Sequence, residues 1–205
     1  MTNDVRRVAP AASRNREPIT RVLGRHLPSE GVVLEVASGT GEHIVHFASA
    51  LSADLIFQPS DPDAGARASI DAWVGSTSVR NVLPAIALDA SADAWPIQRA
   101  DAVICINMIH IAPWEAAVGL IRGAARLLPT GGLLYLYGPY RRDGRHTAPS
   151  NEAFDRGLRM QNATWGVRDL ETVAGLATEH GFVQPLIEEM PANNLSLTFR
   201  RVAPS

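Results

Sequence analysis

Two glycines, Gly39 and Gly41, stand where a strand pattern meets a helical pattern. The strand pattern covers residues 32–36 and is rich in valine and leucine, which is typical of a strand buried on both faces. Apolar residues then recur at helical spacing over 44–51. Small turn residues let a ligand approach bare backbone, and the start of a helix offers free N–H groups with positive dipole potential. The turn therefore predicts a binding site of the nucleotide type.

Polar side chains follow the apolar runs, at the strand ends where open parallel sheets bind ligands. Asp61 lies about 20 residues beyond the glycine turn, the offset of the acidic residue that binds ribose hydroxyls; the alternative is a helix cap. His110, just past the apolar run 102–106, is the candidate general base, and the alternative is a histidine that orients a loop or packs on Trp114. Glu35, inside the first run, is expected to hold the glycine turn, since a buried carboxylate needs partners.

Seven apolar runs, most of them separated by helical patterns, predict the fold. These predicted strands cover residues 32–36, 55–58, 82–88, 102–106, 133–137, 183–190 and 195–202. The alternation implies right-handed crossovers and parallel strands, and Pro84 places the third run at a sheet edge. The connection between the last two runs is too short for a crossover, so they form a hairpin. The predicted class is α/β, a doubly wound, mostly parallel seven-stranded sheet with a C-terminal antiparallel hairpin.

Length and charge narrow the function classes. At 205 residues, the chain suits a single domain over 1–205. Its 19 basic and 21 acidic residues give a net charge of −2, which disfavours a nucleic-acid partner. No apolar run approaches the roughly 20 residues of a membrane span, and the single cysteine, Cys105, fits a reducing compartment. We expect a cytoplasmic protein without a membrane partner, and the sequence predicts no metal site because it has no clustered His, Cys and carboxylate ligands.

Two irregular parts of the chain are expected to select a second ligand. Residues 1–12 resemble a flexible lead-in, and residues 138–166 form a long, basic, glycine-containing insertion on the substrate side. If the polar residues of these parts and their neighbours converge, they suit a small anionic molecule; otherwise most are solvated surface residues. The candidate substrate-binding residues are Arg14, Asn15, Tyr140, Asn151, Arg168 and Asn194.

The order of strands and helices, closed by an antiparallel hairpin, resembles class I S-adenosylmethionine-dependent methyltransferases along nearly the whole chain. Glu35-x-x-x-Gly39-x-Gly41 is similar to their first motif, where the turn backbone meets the methionine part of the cofactor. Asp61 matches the acidic residue that holds the ribose hydroxyls. The resemblance thus implies the Rossmann-like methyltransferase fold and a named cofactor.

Two later segments extend this resemblance. Asp89 and Ala90, after the third predicted strand, match the pair that recognises the adenine ring. The segment from Asn107 to His110 lies where the superfamily carries its fourth motif, which faces the transferable methyl group. Together with the first motif, these matches imply the following cofactor-binding residues: Glu35, Ala37, Ser38, Gly39, Thr40, Gly41, His43, Asp61, Asp89, Ala90 and Asn107.

A closer resemblance is to the DUF938 or methyltransferase-like 26 family within that superfamily. The blocks that carry it span the chain and cover residues 14–19, 37–43, 58–61, 107–111, 150–155, 165–169 and 190–195. Ala37 and Ser38 depart from the glycine-rich pattern of many methyltransferases, and alanine is tolerated there if its φ is negative. Ile44 stands where a dinucleotide site needs a small residue, which favours the methyl donor over NAD.

The resemblance implies an S-adenosylmethionine-dependent methyltransferase, with S-adenosylhomocysteine as product. The predicted acceptor is an O or N atom of a small, anionic molecule. Two alternatives remain open: methylation of a protein or RNA target, and a non-catalytic module that binds the cofactor without turnover. The sequence makes no prediction of the oligomeric state.

Overall fold

The computed structural model describes residues 4–203 of the chain, and its centre is a sheet of six strands. In chain order, the strands of the protein are β1 (Gly31–Val36), β2 (Leu55–Pro59), β3 (Ala102–Ile106), β4 (Leu133–Gly138), β5 (Tyr140–Arg142), β6 (Arg145–His146), β7 (Arg168–Asp169), β8 (Leu186–Met190) and β9 (Asn194–Arg200). The central sheet has the order β2-β1-β3-β4-β9-β8, and β6-β5-β7 form a small second sheet.

The pairing of the strands confirms the predicted fold class. The first four strands of the central sheet run parallel, β9 pairs antiparallel with β4, and β8 and β9 form the C-terminal hairpin. β3 is buried over its whole length, because its apolar side chains alternate between two hydrophobic cores on opposite faces of the sheet.

Helices cover both faces. They are α1 (Pro10–His26), α2 (Glu42–Ala50), α3 (Ala64–Gly75), α4 (Trp114–Leu127), α5 (Pro149–Gln161) and α6 (Leu170–Glu179), with short 3₁₀ turns at Met108–His110 and Pro191–Asn193. Residues of α4 and α6 belong to one core, and residues of α1, α2 and α3 to the other. Among residues 4–203, no helix combines the length and apolar character needed to cross a bilayer.

The third predicted strand does not form as a regular strand. Within 82–88, only isolated parallel bridges pair Val82 with Phe57 and Ile86 with Ser60. Pro84 has no N–H to donate to a ladder, so the segment follows the edge of β2 without becoming a seventh strand.

The predicted lead-in is more ordered than expected. Residues 1–3 lie outside the described part of the chain, but α1 begins at Pro10. Before it, the Arg7 backbone N–H donates to Ser69 Oγ (2.7 Å) and the Ala9 N–H donates to Glu42 Oε2 (2.6 Å). These bonds tie the start of the chain to α2 and α3, so residues 7–12 are not a loose segment.

The segment 138–166 contributes β5, β6 and α5. The Arg141 guanidinium contacts the Asp169 carboxylate at 2.5 Å. Asp155 of α5 accepts the Val167 N–H through Oδ1 (2.7 Å) and the Arg159 Nε–H through Oδ2 (3.0 Å). The insertion is therefore fastened to the chain that follows it.

Gly119 lets α4 pack closely against the backbone of Ala90 and Ser91. A Cβ there would overlap the Ala90 carbonyl oxygen and lie 2.8 Å from Ser91 Cα. Both neighbouring atoms belong to the backbone, so they cannot move aside by a change of rotamer. The helix therefore holds residues 90–91 in place.

We predict that Gly119→Ala lowers the free energy of unfolding by about 1–3 kcal/mol, because overpacking outweighs the gain in helix propensity. Gly175→Ala in α6 is the matched control: a Cβ there has no neighbour within 4 Å, so it should stabilise the protein by about 0.5–1 kcal/mol. Urea unfolding of the two variants measures both changes. Equal stabilisation by both would contradict the close approach.

Candidate functional site

Two cavities lie at the edge of the sheet where β1, β3 and β4 end. The smaller has a volume of about 550 Å³ and the larger about 800 Å³. Ile111, which follows the 3₁₀ turn after β3, lines both of them. This is the edge where open parallel sheets bind ligands, because the connections that leave neighbouring strands diverge there.

The smaller cavity combines three carboxylates, those of Asp61, Asp89 and Glu115, with an apolar wall. Asp61 follows β2, and Asp89 follows the irregular edge segment. Leu88 and Met108 supply apolar surface, while Ala37, at the end of β1, forms part of the rim. Of the predicted cofactor-binding residues, the structure brings Ala37, Asp61, Asp89 and Ala90 to the lining of this cavity.

Asp61 braces the glycine turn as well as lining the cavity. Its Oδ2 accepts the Gly39 N–H (3.0 Å) and its Oδ1 accepts the Asp63 N–H (2.9 Å). The cap of α3 is Asp63, which accepts from the N–H groups of Gly65 and Ala66, so the helix-cap alternative for Asp61 is wrong. The short polar side chain of Asp61 therefore couples the turn after β1 to the end of β2.

The turn itself differs from the sequence expectation at Ala37. Its φ is +58°, in the left-handed region, whereas the sequence reading assumed a negative φ. For an alanine, this conformation costs about 1–2 kcal/mol. Gly39 and Gly41 also have positive φ, and a Cβ at Gly39 has no neighbour within 4 Å, so open space borders the turn.

The remaining turn residues hold the backbone rather than line the cavity. The Ser60 N–H donates to Ser38 Oγ (3.1 Å), and Thr40 Oγ1 donates to Glu42 Oε2 (3.0 Å). His43 Nε2 lies 2.7 Å from Asn15 Oδ1 of α1, and His43 lines neither cavity.

Glu35 is a buried carboxylate at the end of β1. It is 1 % exposed and its Oε2 has no hydrogen-bond partner among the described residues, so this oxygen does not hold the turn. The contact of Glu35 with the turn is through Ser38, whose hydroxyl donates to the Glu35 backbone carbonyl (3.3 Å). Burial raises the pKa of Glu35 from 4.5 to about 8, and the Asp61 charge acts in the same direction. The folded protein therefore binds this proton more tightly than the unfolded chain does.

Between pH 4.5 and 8, unfolding releases the Glu35 proton, so the free energy of unfolding falls as the pH rises. We predict that Glu35→Gln flattens this part of the pH–stability profile. The difference between the two proteins should change by at most about 1.4 kcal/mol per pH unit. Urea unfolding without added ligand measures it, with Glu30→Gln, at an exposed position, as control. Parallel profiles for wild type and Glu35→Gln would contradict the burial of a neutral carboxyl group.

The larger cavity is bounded by α1, the ends of β3 and β4, α5 and the turn before β9. Its polar lining is mainly side-chain amides, together with one guanidinium and one phenol. The structure brings five predicted residues to it: Arg14, Asn15, Asn107, Asn151 and Asn194. Asn107, expected on the cofactor side, has a φ of +63° and donates its N–H to the Tyr137 carbonyl (2.8 Å).

His110 does not line either cavity, which contradicts the expectation of a catalytic base. Its side chain is 0 % exposed, and neither ring nitrogen has a partner among the described residues. Burial and the Arg168 charge lower the pKa of His110 to about 3. Gly138 leaves room for the ring, since a Cβ there would overlap Nε2. The ring is neutral and serves packing.

Tyr140 and Arg168, which were predicted to bind substrate, line neither cavity. Tyr140 is 0 % exposed and lies edge-on against His110, with ring centroids 5.1 Å apart. Arg168 donates to the carbonyls of Ile109 (2.9 Å), Ala112 (2.7 Å) and Thr164 (3.1 Å). Its guanidinium therefore fixes the backbone of residues 109–112, which forms the wall between the two cavities, and Arg168 lines neither cavity.

Tyr137, Phe154 and Asn193 are among the lining residues of the larger cavity that the sequence did not predict. Tyr137 carried a usable signal, because it ends a predicted parallel strand at the ligand-binding edge. Phe154 carried a weaker one as a large apolar residue on a polar helix, and it is 43 % exposed. Asn193 gave no signal apart from its place in the hairpin turn.

Comparison with known proteins agrees with this architecture. The model of the family described as "Protein of unknown function (DUF938)" matches residues 6–201. Human N-acetylserotonin methyltransferase, solved with S-adenosylmethionine, is 15 % identical, with a TM-score of 0.76, over 94 % of this chain and 53 % of that one. The S-adenosylhomocysteine-bound CalO1, a methyltransferase of calicheamicin biosynthesis, is 16 % identical, with a TM-score of 0.72, over 94 % and 54 %.

A smaller protein gives a match along its whole length. YcgJ of Bacillus subtilis is 11 % identical, with a TM-score of 0.71, over 94 % of this chain and 100 % of its own. The chain thus spans about half the length of the two larger proteins and all of the smaller one. At these identities, the three structures establish a shared Rossmann-like methyltransferase fold.

Proposed function

We propose that this chain, which belongs to the DUF938 family, binds S-adenosylmethionine and transfers its methyl group to an O or N atom of a small anionic acceptor. The observation that carries the proposal is the pair of cavities at the carboxyl edge of the sheet, with Ile111 common to both. One suits an adenosyl group and the other a second reactant. The shared wall would set the two reactants next to each other.

The smaller cavity fits the cofactor by its chemistry. Asp61 and Asp89 offer carboxylate oxygens for ribose hydroxyls and an exocyclic amine, and the apolar wall at Leu88 and Met108 suits a purine. The unpartnered Glu35 Oε2 lies under the turn that would meet the amino-acid part. The open side of Gly39 leaves space beside that turn. The carboxylates, the apolar wall and the space beside the turn therefore fit S-adenosylmethionine.

When bound, this cofactor supplies an electrophilic methyl group on a sulfonium. The protein has to align the acceptor and exclude water. Asp61 holds the turn through the Gly39 N–H, and Asn107 offers its side-chain amide to an acceptor in the larger cavity. The Asn151 NH₂ group donates to Thr147 Oγ1 (3.0 Å) and to the Asn193 carbonyl (2.9 Å), so Asn151 shapes the lining. Because His110 is buried and neutral, it does not take a proton from the acceptor. An acceptor that is already ionised, such as a carboxylate, requires no base.

The size of the larger cavity favours an enzyme over a non-catalytic binding module. A module that only senses the cofactor is expected to fill the acceptor pocket with side chains, whereas this one has about 800 Å³ of space. Such a volume lies within the range of small-molecule sites, about 300–1,000 Å³. A cavity of this volume favours a small acceptor over a protein or RNA target.

Calorimetric titration tests the cofactor first. We expect S-adenosylmethionine and S-adenosylhomocysteine to bind with micromolar affinity and NAD not to bind. Asp61→Ala should weaken the affinity for both adenosyl compounds at least tenfold, or by about 1.4 kcal/mol. The substitution removes a carboxylate from the cavity and the hydrogen-bond acceptor of the Gly39 N–H.

Asp93→Ala is the matched control, since Asp93 is exposed, pairs with Arg122 and lies outside the cavity lining. It should leave both affinities unchanged. If neither adenosyl compound binds the wild-type protein, the proposed function is wrong.

A further inference from the structure

We propose that the larger cavity recognises a carboxylate carried on an apolar, aromatic-sized body. The Tyr137 hydroxyl and the Asn15 amide would hold the carboxylate, and Arg14 would neutralise its charge. This inference rests on the proposed function, because it names the acceptor class of the same site. It assigns new roles to Tyr137 and to His43, which orients Asn15, and it names the chemical group that Arg14 and Asn15 would bind.

The orientation of the Asn15 amide follows from its contact with His43. Asn15 is 8 % exposed, and its Oδ1 lies 2.7 Å from His43 Nε2. An amide oxygen only accepts, so Nε2 of His43 must carry the hydrogen. The Asn15 NH₂ group therefore points away from His43 as a donor. Burial lowers the pKa of His43 to about 4, so the ring stays a neutral partner near pH 7.

Tyr137 brings a second donor to the same place. It ends β4, lines the cavity and is only 2 % exposed. Tyr137 lines the cavity together with Asn15 and Asn194, which come from α1 and β9. Burial raises the pKa of Tyr137, so it is a neutral phenol at physiological pH. A neutral phenol can donate a hydrogen bond to an anionic oxygen but does not act as a base there.

The charge of the lining favours an anion. Arg14 immediately precedes Asn15 and lines the cavity from α1. The other described lining residues are neutral amides, hydroxyls and apolar groups, so the cavity is net positive. A guanidinium binds a carboxylate through two parallel hydrogen bonds. A cationic ligand would meet Arg14 without a compensating carboxylate from the lining.

The apolar part of the lining accounts for the rest of the ligand. Phe154 and Ile111 are 43 % and 45 % exposed, which is high for side chains of this size. They line the cavity from α5 and from the wall between the two cavities, and Pro139 and Pro191 add further apolar surface. A flat apolar body would cover these side chains and remove their surface from water.

Benzoate is a suitable probe, with its neutral isostere benzamide as the matched ligand. The experiment uses full-length protein labelled with ¹³Cζ-tyrosine and loaded with S-adenosylhomocysteine. The protein has three tyrosines, so single Tyr→Phe substitutions assign the resonances. We expect benzoate to shift the Tyr137 resonance saturably, and benzamide to bind at least tenfold more weakly.

Variants separate recognition from structural support. Arg14→Gln and Tyr137→Phe should each weaken the affinity for benzoate several-fold. For Tyr137→Phe, which lacks the reporting tyrosine, ligand-observed NMR measures this affinity. Asn15→Asp should weaken it more than tenfold, since a carboxylate replaces the donor, and it should raise the pKa of His43. Arg156→Gln, at an exposed site outside the cavity, is the control. The affinity for S-adenosylhomocysteine should stay unchanged in all four variants, which checks that they fold.

Two results would overturn this inference: no saturable Tyr137 shift with benzoate up to tens of millimolar, or equal affinity for benzoate in wild type and Arg14→Gln. Failure of the proposed function has a different signature, the absence of S-adenosylhomocysteine binding. In that case, benzoate titration of the unloaded protein still decides whether the cavity recognises a carboxylate.

Discussion

Parallel pairing of β1 with both of its neighbours is the constraint on which the two cavities depend. Glu35 stands opposite Pro59 on one side and Ile104 on the other, so β1, β2 and β3 all end at the same edge. β4 continues the parallel order, which brings Tyr137 next to the end of β3. The chain must turn away from the sheet at every one of these ends, and the space between the diverging connections becomes the binding region.

A second set of bonds fixes the wall between the cavities from outside. Arg168 donates to the carbonyls of Ile109 and Ala112, and the Gly166 N–H donates to the His110 carbonyl at 2.9 Å. The wall is therefore held by the segment that follows α5, through bonds that join residues 59 and 56 positions apart in the chain. Arg168 acts on the site through its backbone contacts, while its own charge faces neither cavity.

Backbone strain is concentrated at the same place. Four non-glycine residues that line the cavities adopt left-handed conformations: Ala37 (φ +58°), Asn107 (φ +63°), Ala192 (φ +58°) and Asn193 (φ +58°). Such residues typically cost about 1–3 kcal/mol each, and they persist only where the surroundings determine the backbone. Here the Asp61 brace, the Tyr137 carbonyl and the hairpin supply those surroundings. The stability lost at these points is compensated by the two packed cores.

The sequence by itself determined the fold class, the glycine turn and the positions of Asp61 and Asp89, because these depend on local periodicity and on where strands end. It also predicted Arg14, Asn15, Asn151 and Asn194 as substrate-binding residues, and the structure places all four at the larger cavity, together with Asn107, which was predicted for the cofactor side. Only the tertiary structure decided the directions of the side chains of His110, Tyr140 and Arg168. The first two are buried in the protein interior, and Arg168 donates to backbone carbonyls instead of lining a cavity. The reason is physical: periodicity fixes which element a residue belongs to, whereas the direction of a polar side chain is set by partners distant in sequence.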